Sequence, residues 1–181
     1  MTRIASLDPA TATGPAAALL GATQKQLGRA PNLYRSMAQS PTALDAYLAF
    51  RGALGKGTLP LQMMERIALL TAAINDCDYC VAAHTFRGTK IGMSEAELAL
   101  SRAARASTPK DGAALRFVQI LLERRGAVGD ADFAAVKEAG WNDAEIGEMV
   151  GHVALNVFSN YFNHVAQPEL DFPAVAPASQ A

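Results

Sequence analysis

The sequence is poor in cysteine and in charge, and it lacks long apolar runs. Its 181 residues include two cysteines, one tryptophan and 18% charged residues, with a net charge of −1. A net charge so close to zero provides no electrostatic basis for binding nucleic acid or an anionic membrane. No apolar run approaches the roughly 20 residues that span a bilayer, and Met1 to Ala10 lacks the apolar stretch of a secretory signal. We therefore expect a cytoplasmic protein with no nucleic-acid partner and no membrane partner.

The chain is rich in apolar residues relative to its few charges. Hydrophobic residues make up 50% of the 181, which is enough for one sizeable core. We predict a single compact helical domain at residues 15–167, an N-terminal arm at 1–14 and an extended Pro/Ala-rich tail at 168–181. Because a monomer would leave surplus apolar surface in water, the composition also predicts a homo-oligomer.

Glycine and proline divide the chain into segments with helical periodicity, and no segment shows the alternation of a β-strand. The predicted fold class is therefore all-α, with eight or nine helices. Helix starts are marked by Pro60, Ser94, Asp130 and Asn142. The predicted helices cover residues 15–28, 32–38, 41–54, 60–74, 77–91, 94–104, 111–125, 130–139 and 142–166.

Both cysteines fall in one short segment, Cys77-x-x-Cys80-x-x-x-His84. Asn75 and Asp76 are good N-cap residues, and no proline follows for several turns, so we expect a helix to begin beside Cys77. At about 100° per residue, the two thiols and the imidazole point within about 60° of each other. Two thiols three residues apart can close a disulfide, and a nearby imidazole can take or give a proton. The segment therefore predicts a redox centre.

The residues alone leave open which cysteine is the nucleophile. A helix N-terminus stabilises a thiolate, which favours Cys77. A neighbouring protonated imidazole has the same effect, which favours Cys80, one turn before His84.

Glu65 is the acid that we expect to complete this centre. Its neighbours from Met63 to Leu70 are nearly all apolar, so the carboxylate is expected to be partly buried. A buried carboxylate must lose its charge or find a partner, and we expect that partner to be His84. The alternative is a surface ion pair with Arg66 or Lys56.

Other interpretations of the cysteine pair are a structural disulfide, a zinc site and inert core cysteines. A bridge across so short a loop constrains little of the unfolded chain, which argues against the first. Two thiolates, an imidazole and a carboxylate could bind zinc, although no second Cys-x-x-Cys is present to complete a more usual site. Covalent haem attachment is excluded, because Val81 rather than histidine follows Cys80. The alternative to an enzyme is thus a non-enzymatic or metal-binding helical oligomer for redox sensing or assembly.

The set formed by Glu65 and the segment from Cys77 to His84 resembles the active-site signature of the alkylhydroperoxidase D branch of the carboxymuconolactone decarboxylase superfamily. Similarity to peroxidase-related members of comparable length extends over residues 15–173. Within this range, the segments that carry the similarity are Pro31-Asn32-Leu33-Tyr34, Ser40-Pro41 and Asn156-Val157-Phe158-Ser159-Asn160-Tyr161-Phe162-Asn163.

The resemblance implies an all-helical antioxidant enzyme, a trimer or a hexamer, that reduces hydroperoxides with a disulfide-forming dithiol. Cys80 would attack the peroxide, Cys77 would resolve the product, and Glu65 with His84 would form the proton relay. The reductant would be a thiol or a lipoyl-type dithiol, with no cofactor and no metal.

One residue departs from the family pattern. The best-known alkylhydroperoxidase members have a histidine just before the second cysteine, where this chain has Tyr79. A phenol with an ordinary pKa near ~10 donates a hydrogen bond but does not shuttle protons near neutral pH. Tyr79 is therefore a candidate substrate-binding residue, and the activity is expected to be weaker or directed at another substrate. The lactone decarboxylase branch lacks the cysteine pair, so that activity is less expected.

The last predicted helix contains several polar residues that we leave outside the site. His152 and His164 are expected to be hydrogen-bonded core residues, as single histidines on apolar helices usually are. Asn156, Asn160 and Asn163 share one face, and we expect them to satisfy helix-end carbonyls or to line a contact between subunits.

Overall fold

The computed structural model describes residues 1–175. Within this range the protein is all-helical, as predicted, with nine α-helices and no strand. The final part of the predicted tail, residues 176–181, lies outside the described residues. The helices are α1 (Gly14–Leu27), α2 (Asn32–Met37), α3 (Pro41–Leu54), α4 (Leu61–Ile74), α5 (Asp78–Lys90), α6 (Glu95–Arg102), α7 (Pro109–Glu123), α8 (Asp130–Glu138) and α9 (Asp143–Ala166).

Local signals account for the helix ends, which differ from the predicted ones by at most two residues. Prolines occupy the first turns of α1, α3 and α7, where their missing N–H has no intrahelical partner to lose. Ser94 caps α6 by accepting the N–H of Glu97 at 3.2 Å, and the carboxylate of Glu97 accepts the N–H of Ser94 in return. Asn142 and Glu145 form the same reciprocal pair at the start of α9, at 3.0 and 2.9 Å.

The described residues group into two compact units, and the predicted extent of a single domain at 15–167 stays a prediction. The first unit comprises Met1–Gly55 and Tyr161–Asp171. Its N-terminal arm is held by backbone hydrogen bonds from Arg3 and Ile4 to the carbonyl of Ala166, at 2.8 and 3.1 Å. The start of the tail is held as well, because Asp171 pairs with Arg29 and accepts the N–H of Asn32.

The second unit comprises Lys56–Asn160 and, among the described residues after Asp171, 172–175. Its core joins α4, α7, α8 and the first part of α9. Burial of these side chains, at about 25 cal/mol per Å² of apolar surface, stabilises the unit. None of the described helices is long and apolar enough to cross a membrane. The central core residues are Met63, Ile67 and Leu70 of α4, Leu115 and Val118 of α7, Val136 of α8, Trp141, and Ile146, Met149 and Val153 of α9.

Two polar contacts set the register of α9 along α4. At the start of α4, the carboxylate of Glu148 accepts the N–H groups of Thr58 and Leu59 at 2.8 and 2.9 Å and the Thr58 hydroxyl at 3.0 Å. At its end, the amide of Asn75 donates to Oδ1 of Asn160 at 2.9 Å. The segments 58–75 and 148–160 therefore run side by side in the same direction.

Candidate active site

A tight turn between α4 and α5 positions Cys77. Asp76 has a left-handed backbone with φ of 52°, the N–H of Cys77 bonds to the carbonyl of Ala72 at 2.9 Å, and the N–H of Asp76 bonds to Ala73 at 3.2 Å. This pair of bonds is a Schellman motif, which ends α4 and reverses the chain. Asn75 is thus the C-cap of α4, and Cys77 itself is the N-cap of α5. The expectation that Asn75 and Asp76 cap the second helix is wrong, because the left-handed turn uses them to end the first.

The two cysteines form a disulfide bond at the N-terminus of α5. Their Cα atoms are 5.3 Å apart, and each side chain is buried, with 3% of the residue exposed. Because Cys77 is the N-cap and Cys80 lies in the first turn, both sulfur atoms are at the end of the helix that stabilises negative charge. Reduction would therefore release two thiols in a setting that favours thiolate.

Glu65 binds two side chains from the same face of α5. Its Oε2 atom lies 2.7 Å from Nδ1 of His84, and its Oε1 atom lies 2.5 Å from the guanidinium of Arg87. The side chains of Glu65 and His84 are 8% and 12% exposed, so this carboxylate is held almost without water. Since an ionised carboxylate only accepts, Nδ1 of His84 donates to it, and Nε2 is the nitrogen left to exchange a proton with a thiol.

The contact predicted between Glu65 and His84 is therefore present, and the alternative pairing with Arg66 is wrong. Arg66 is buried and points about 100° around α4 from Glu65, where it donates to Glu97 at 2.7 Å and to Ser101 at 3.2 Å. The catalytic roles of Cys80, Cys77, His84 and Glu65 stay predictions.

Arg87 is the residue of this group that the sequence analysis missed. Its position offered a signal, since it lies seven residues after Cys80 and three after His84, on the same helical face. A single cation beside a buried carboxylate balances a charge that would otherwise be costly to bury.

Tyr79 lies about 100° around α5 from Cys80 and is buried. Its ring meets the ring of Phe172 edge to face at 5.7 Å, and Phe172 also contacts Phe86 at 5.8 Å. A substrate-binding role for Tyr79 stays a prediction.

The two histidines of α9 differ in their surroundings. His152 is buried, with its Nε2 atom lacking a hydrogen-bond partner, whereas His164 is exposed. Burial lowers the pKa of His152 and Arg87 lowers it further, while the carboxylates of Glu148 and Glu65 oppose this shift. The expectation that both histidines are hydrogen-bonded core residues is therefore wrong for His164, which is exposed. For His152 the expected burial is confirmed, but its Nε2 atom does not make the expected hydrogen bond.

Two of the asparagines of α9 make side-chain hydrogen bonds of different kinds. Asn156 donates to the carbonyl of His152 at 2.7 Å within the helix, rather than to a helix end, and Asn160 accepts from Asn75 at 2.9 Å.

In residues 1–175, no three His, Cys, Asp or Glu side chains are grouped so that they could hold a metal ion.

Comparison with known proteins shows what this chain resembles. Residues 41–123 match the carboxymuconolactone decarboxylase family, whereas no functionally curated protein matches the chain in sequence. An uncharacterized peroxidase-related protein with the alkylhydroperoxidase AhpD core, from Ralstonia eutropha JMP134, is 24% identical, with a TM-score of 0.82 over 94% of this chain and 92% of that chain. A peroxidase-related protein from Silicibacter sp. TM1040 is 20% identical, with a TM-score of 0.74 over 98% of this chain and 96% of that chain.

A third similar structure is the debrominase Bmp8, solved as a cysteine-to-alanine variant in complex with 2,3,4-tribromopyrrole. It is 15% identical, with a TM-score of 0.80 over 94% of this chain and 92% of that chain. At such identities these structures show a shared fold.

Proposed function

Because residues 41–123 match the carboxymuconolactone decarboxylase family and the chain has the alkylhydroperoxidase D-like fold, we propose that it is a thiol-dependent hydroperoxide reductase. The observation that carries this proposal is the disulfide between Cys77 and Cys80 at a helix N-terminus, beside an imidazole that a buried carboxylate orients. A structural cross-link across so short a loop would stabilise little, so a reversible dithiol is the better explanation of the pair.

In the oxidative half of the cycle, Cys80 is the attacking residue, since it lies one turn before His84. His84 takes the thiol proton at Nε2, and the thiolate sulfur attacks the outer peroxide oxygen. The S–O bond forms, the O–O bond breaks, and the leaving alkoxide takes the proton from Nε2 of His84 to become an alcohol. The thiol of Cys77 then attacks the sulfenic acid, which forms the disulfide and releases water.

In the reductive half, an external dithiol attacks the disulfide and is itself oxidised, which returns both cysteines to thiols. A small thiol or a lipoyl-type dithiol supplies these two electrons. A cycle that depends on such a reductant fits a reducing compartment, which is why we place the protein in the cytoplasm.

Assembly as a trimer or a hexamer forms part of the proposal. Tyr161 and Val165, four residues apart on α9, are each 59% exposed, and large apolar side chains of this kind favour an interface between subunits.

The test is the loss of thiols from the reduced protein on adding one equivalent of cumene hydroperoxide, with trapping of sulfenic acid by dimedone. With Cys80 as the attacking residue, Cys77→Ser still gives the dimedone adduct and Cys80→Ser does not. His164→Gln is the control, because this exposed histidine lies outside the site. Unchanged thiols in the parent protein would refute the proposed activity, and the opposite labelling pattern would exchange the two cysteine roles.

Reductive removal of bromine from an aromatic ring is a second candidate, because the chain shares its fold with Bmp8. A dithiol supplies the two electrons, giving the debrominated ring, bromide, a proton and the disulfide. Bromide release from 2,3,4-tribromopyrrole by the reduced protein, without thiol loss to peroxide, would favour this reaction. Metal analysis of the same sample tests the remaining alternative, a metal-binding oligomer.

A further inference from the structure

His152 contains a buried hydrogen-bonding atom that no described residue satisfies. The residue is 6% exposed, and its Nε2 atom has no hydrogen-bond partner. A buried polar atom without a partner is destabilising, so native proteins rarely keep one without a reason. The reaction proposed for the two cysteines, Glu65 and His84 does not involve this residue.

The register of α4 and α9 brings His152 to the level of Glu65. Asn75, at the end of α4, contacts Asn160 of α9. Glu65 lies ten residues before Asn75, and His152 lies eight residues before Asn160. At 1.5 Å per residue, the two positions differ by only about 3 Å along the shared direction. The electrostatic influence of both Glu65 and Arg87 on His152 agrees with this placement.

We propose that Nε2 of His152 donates a hydrogen bond to the oxygen atom of the hydroperoxide that leaves when the O–O bond breaks. His152 would thus be a further catalytic residue on a different helix from the cysteines. The proposal rests on the proposed function, since it assigns the partner of Nε2 to the substrate of that reaction.

The chemistry suits a neutral imidazole. As the S–O bond forms and the O–O bond breaks, negative charge develops on the leaving oxygen, and a fixed donor in a site that excludes water stabilises this charge. His152 keeps its own proton, because the proton that completes the alcohol comes from His84. Burial lowers the pKa of His152 and thus keeps it in the neutral form that this role requires.

The experiment compares His152→Leu, His152→Gln and the parent protein, all reduced. Leucine removes the donor and fills a similar volume, whereas glutamine retains an N–H donor at a similar reach. Three quantities are measured: the rate of thiol loss with cumene hydroperoxide, the rate of thiol alkylation by iodoacetamide across pH, and the melting temperature. His164→Gln, on the same helix but exposed, is the matched control.

We expect His152→Leu to slow peroxide reduction by about 10²-fold, the usual effect of losing one such donor, and His152→Gln to recover most of the rate. The alkylation profile should match that of the parent, because the thiols and His84 are unchanged. The melting temperature of His152→Leu should equal or exceed that of the parent, because an unsatisfied buried donor has been removed.

Different results separate this proposal from the one on which it rests. A parent protein that keeps its thiols in the presence of peroxide overturns both. A parent that reacts, with His152→Leu at the same rate, overturns only the role of His152. Equal losses of the peroxide and alkylation rates, or a His152→Gln variant as slow as His152→Leu, would show that His152 is structural.

Discussion

Gly57 is the position at which the register of α4 and α9 can be perturbed by one methyl group. A Cβ atom there would lie 2.4 to 2.7 Å from the carboxylate atoms of Glu148. The backbone of Gly57 is not left-handed, so alanine itself is not strained at this position. Because the clash is with the end of a flexible side chain, we expect Gly57→Ala to expel the carboxylate of Glu148 rather than to distort the backbone.

The effect follows from the three hydrogen bonds that this carboxylate accepts from Thr58 and Leu59. At about 1 kcal/mol each, the typical net contribution of a hydrogen bond, used here because the charged acceptor is partly exposed, their loss lowers the free energy of unfolding by about 2–3 kcal/mol. In a chain of this size that corresponds to a decrease in melting temperature of about 4–12 °C.

Urea unfolding of Gly57→Ala, Glu148→Ala and the double variant measures whether both changes act through one contact. We expect the double variant to lose no more than either single variant, which is a coupling of about 2 kcal/mol. Gly112→Ala in α7 is the control: nothing lies within 4 Å of its added Cβ, so it should be neutral or stabilising by up to about 1 kcal/mol. Fully additive losses at positions 57 and 148 would refute this account.

The same contact predicts a dependence on pH. Burial raises the pKa of Glu148, but the hydrogen bonds from Thr58 and Leu59 outweigh it, and the net pKa lies below the ordinary 4.5. The stabilisation is therefore fully present above the unfolded-state pKa and is lost as pH falls through the lowered folded-state pKa. The stability difference between the parent and Gly57→Ala should shrink in that acidic range.

Further predictions concern the relay, the turn, the buried histidine and the assembly. Glu65→Gln and His84→Asn should each slow thiol loss to peroxide by about 10²–10⁴-fold, and the double variant should be about as slow as either, because the pair acts as one unit; multiplied effects, or a Glu65→Gln variant at the parent rate, would contradict this. Asp76→Ala should lower the free energy of unfolding by about 1 kcal/mol in urea, because a Cβ is unfavourable in a left-handed backbone where aspartate is better tolerated, while Asp76→Gly should be milder. Burial lowers the pKa of His152, so below about pH 6.5 the unfolded chain binds a proton more readily than the native state does. The free energy of unfolding should therefore fall on acidification, and fall less in His152→Gln. Equal slopes of this free energy against pH in the two proteins, measured by urea unfolding, would refute the prediction. Light scattering at micromolar concentration should give a trimer or a hexamer, and a monomer would contradict the proposed assembly.

Local physical chemistry allowed much of this protein to be predicted from its sequence. The helices were predictable because proline, capping residues and apolar periodicity act over a few neighbouring residues, as the reciprocal pair of Ser94 and Glu97 illustrates. The contact of Glu65 with His84 was predictable for a different reason. An acid surrounded by apolar neighbours needs a partner, and the imidazole shares a helical face with both cysteines.

Tertiary structure decided the rest, because it depends on which distant residues meet. His152 and His164 lie on one apolar helix and look alike in sequence, yet only the packing of α9 buries the first and exposes the second. Arg87 could have been found from its spacing on α5, but its choice of Glu65 depends on how α5 lies against α4. Gly57 and Glu148 are 91 positions apart, and no local pattern connects them. Secondary structure follows from interactions between chain neighbours, whereas the surroundings of a side chain follow from the packing of whole helices.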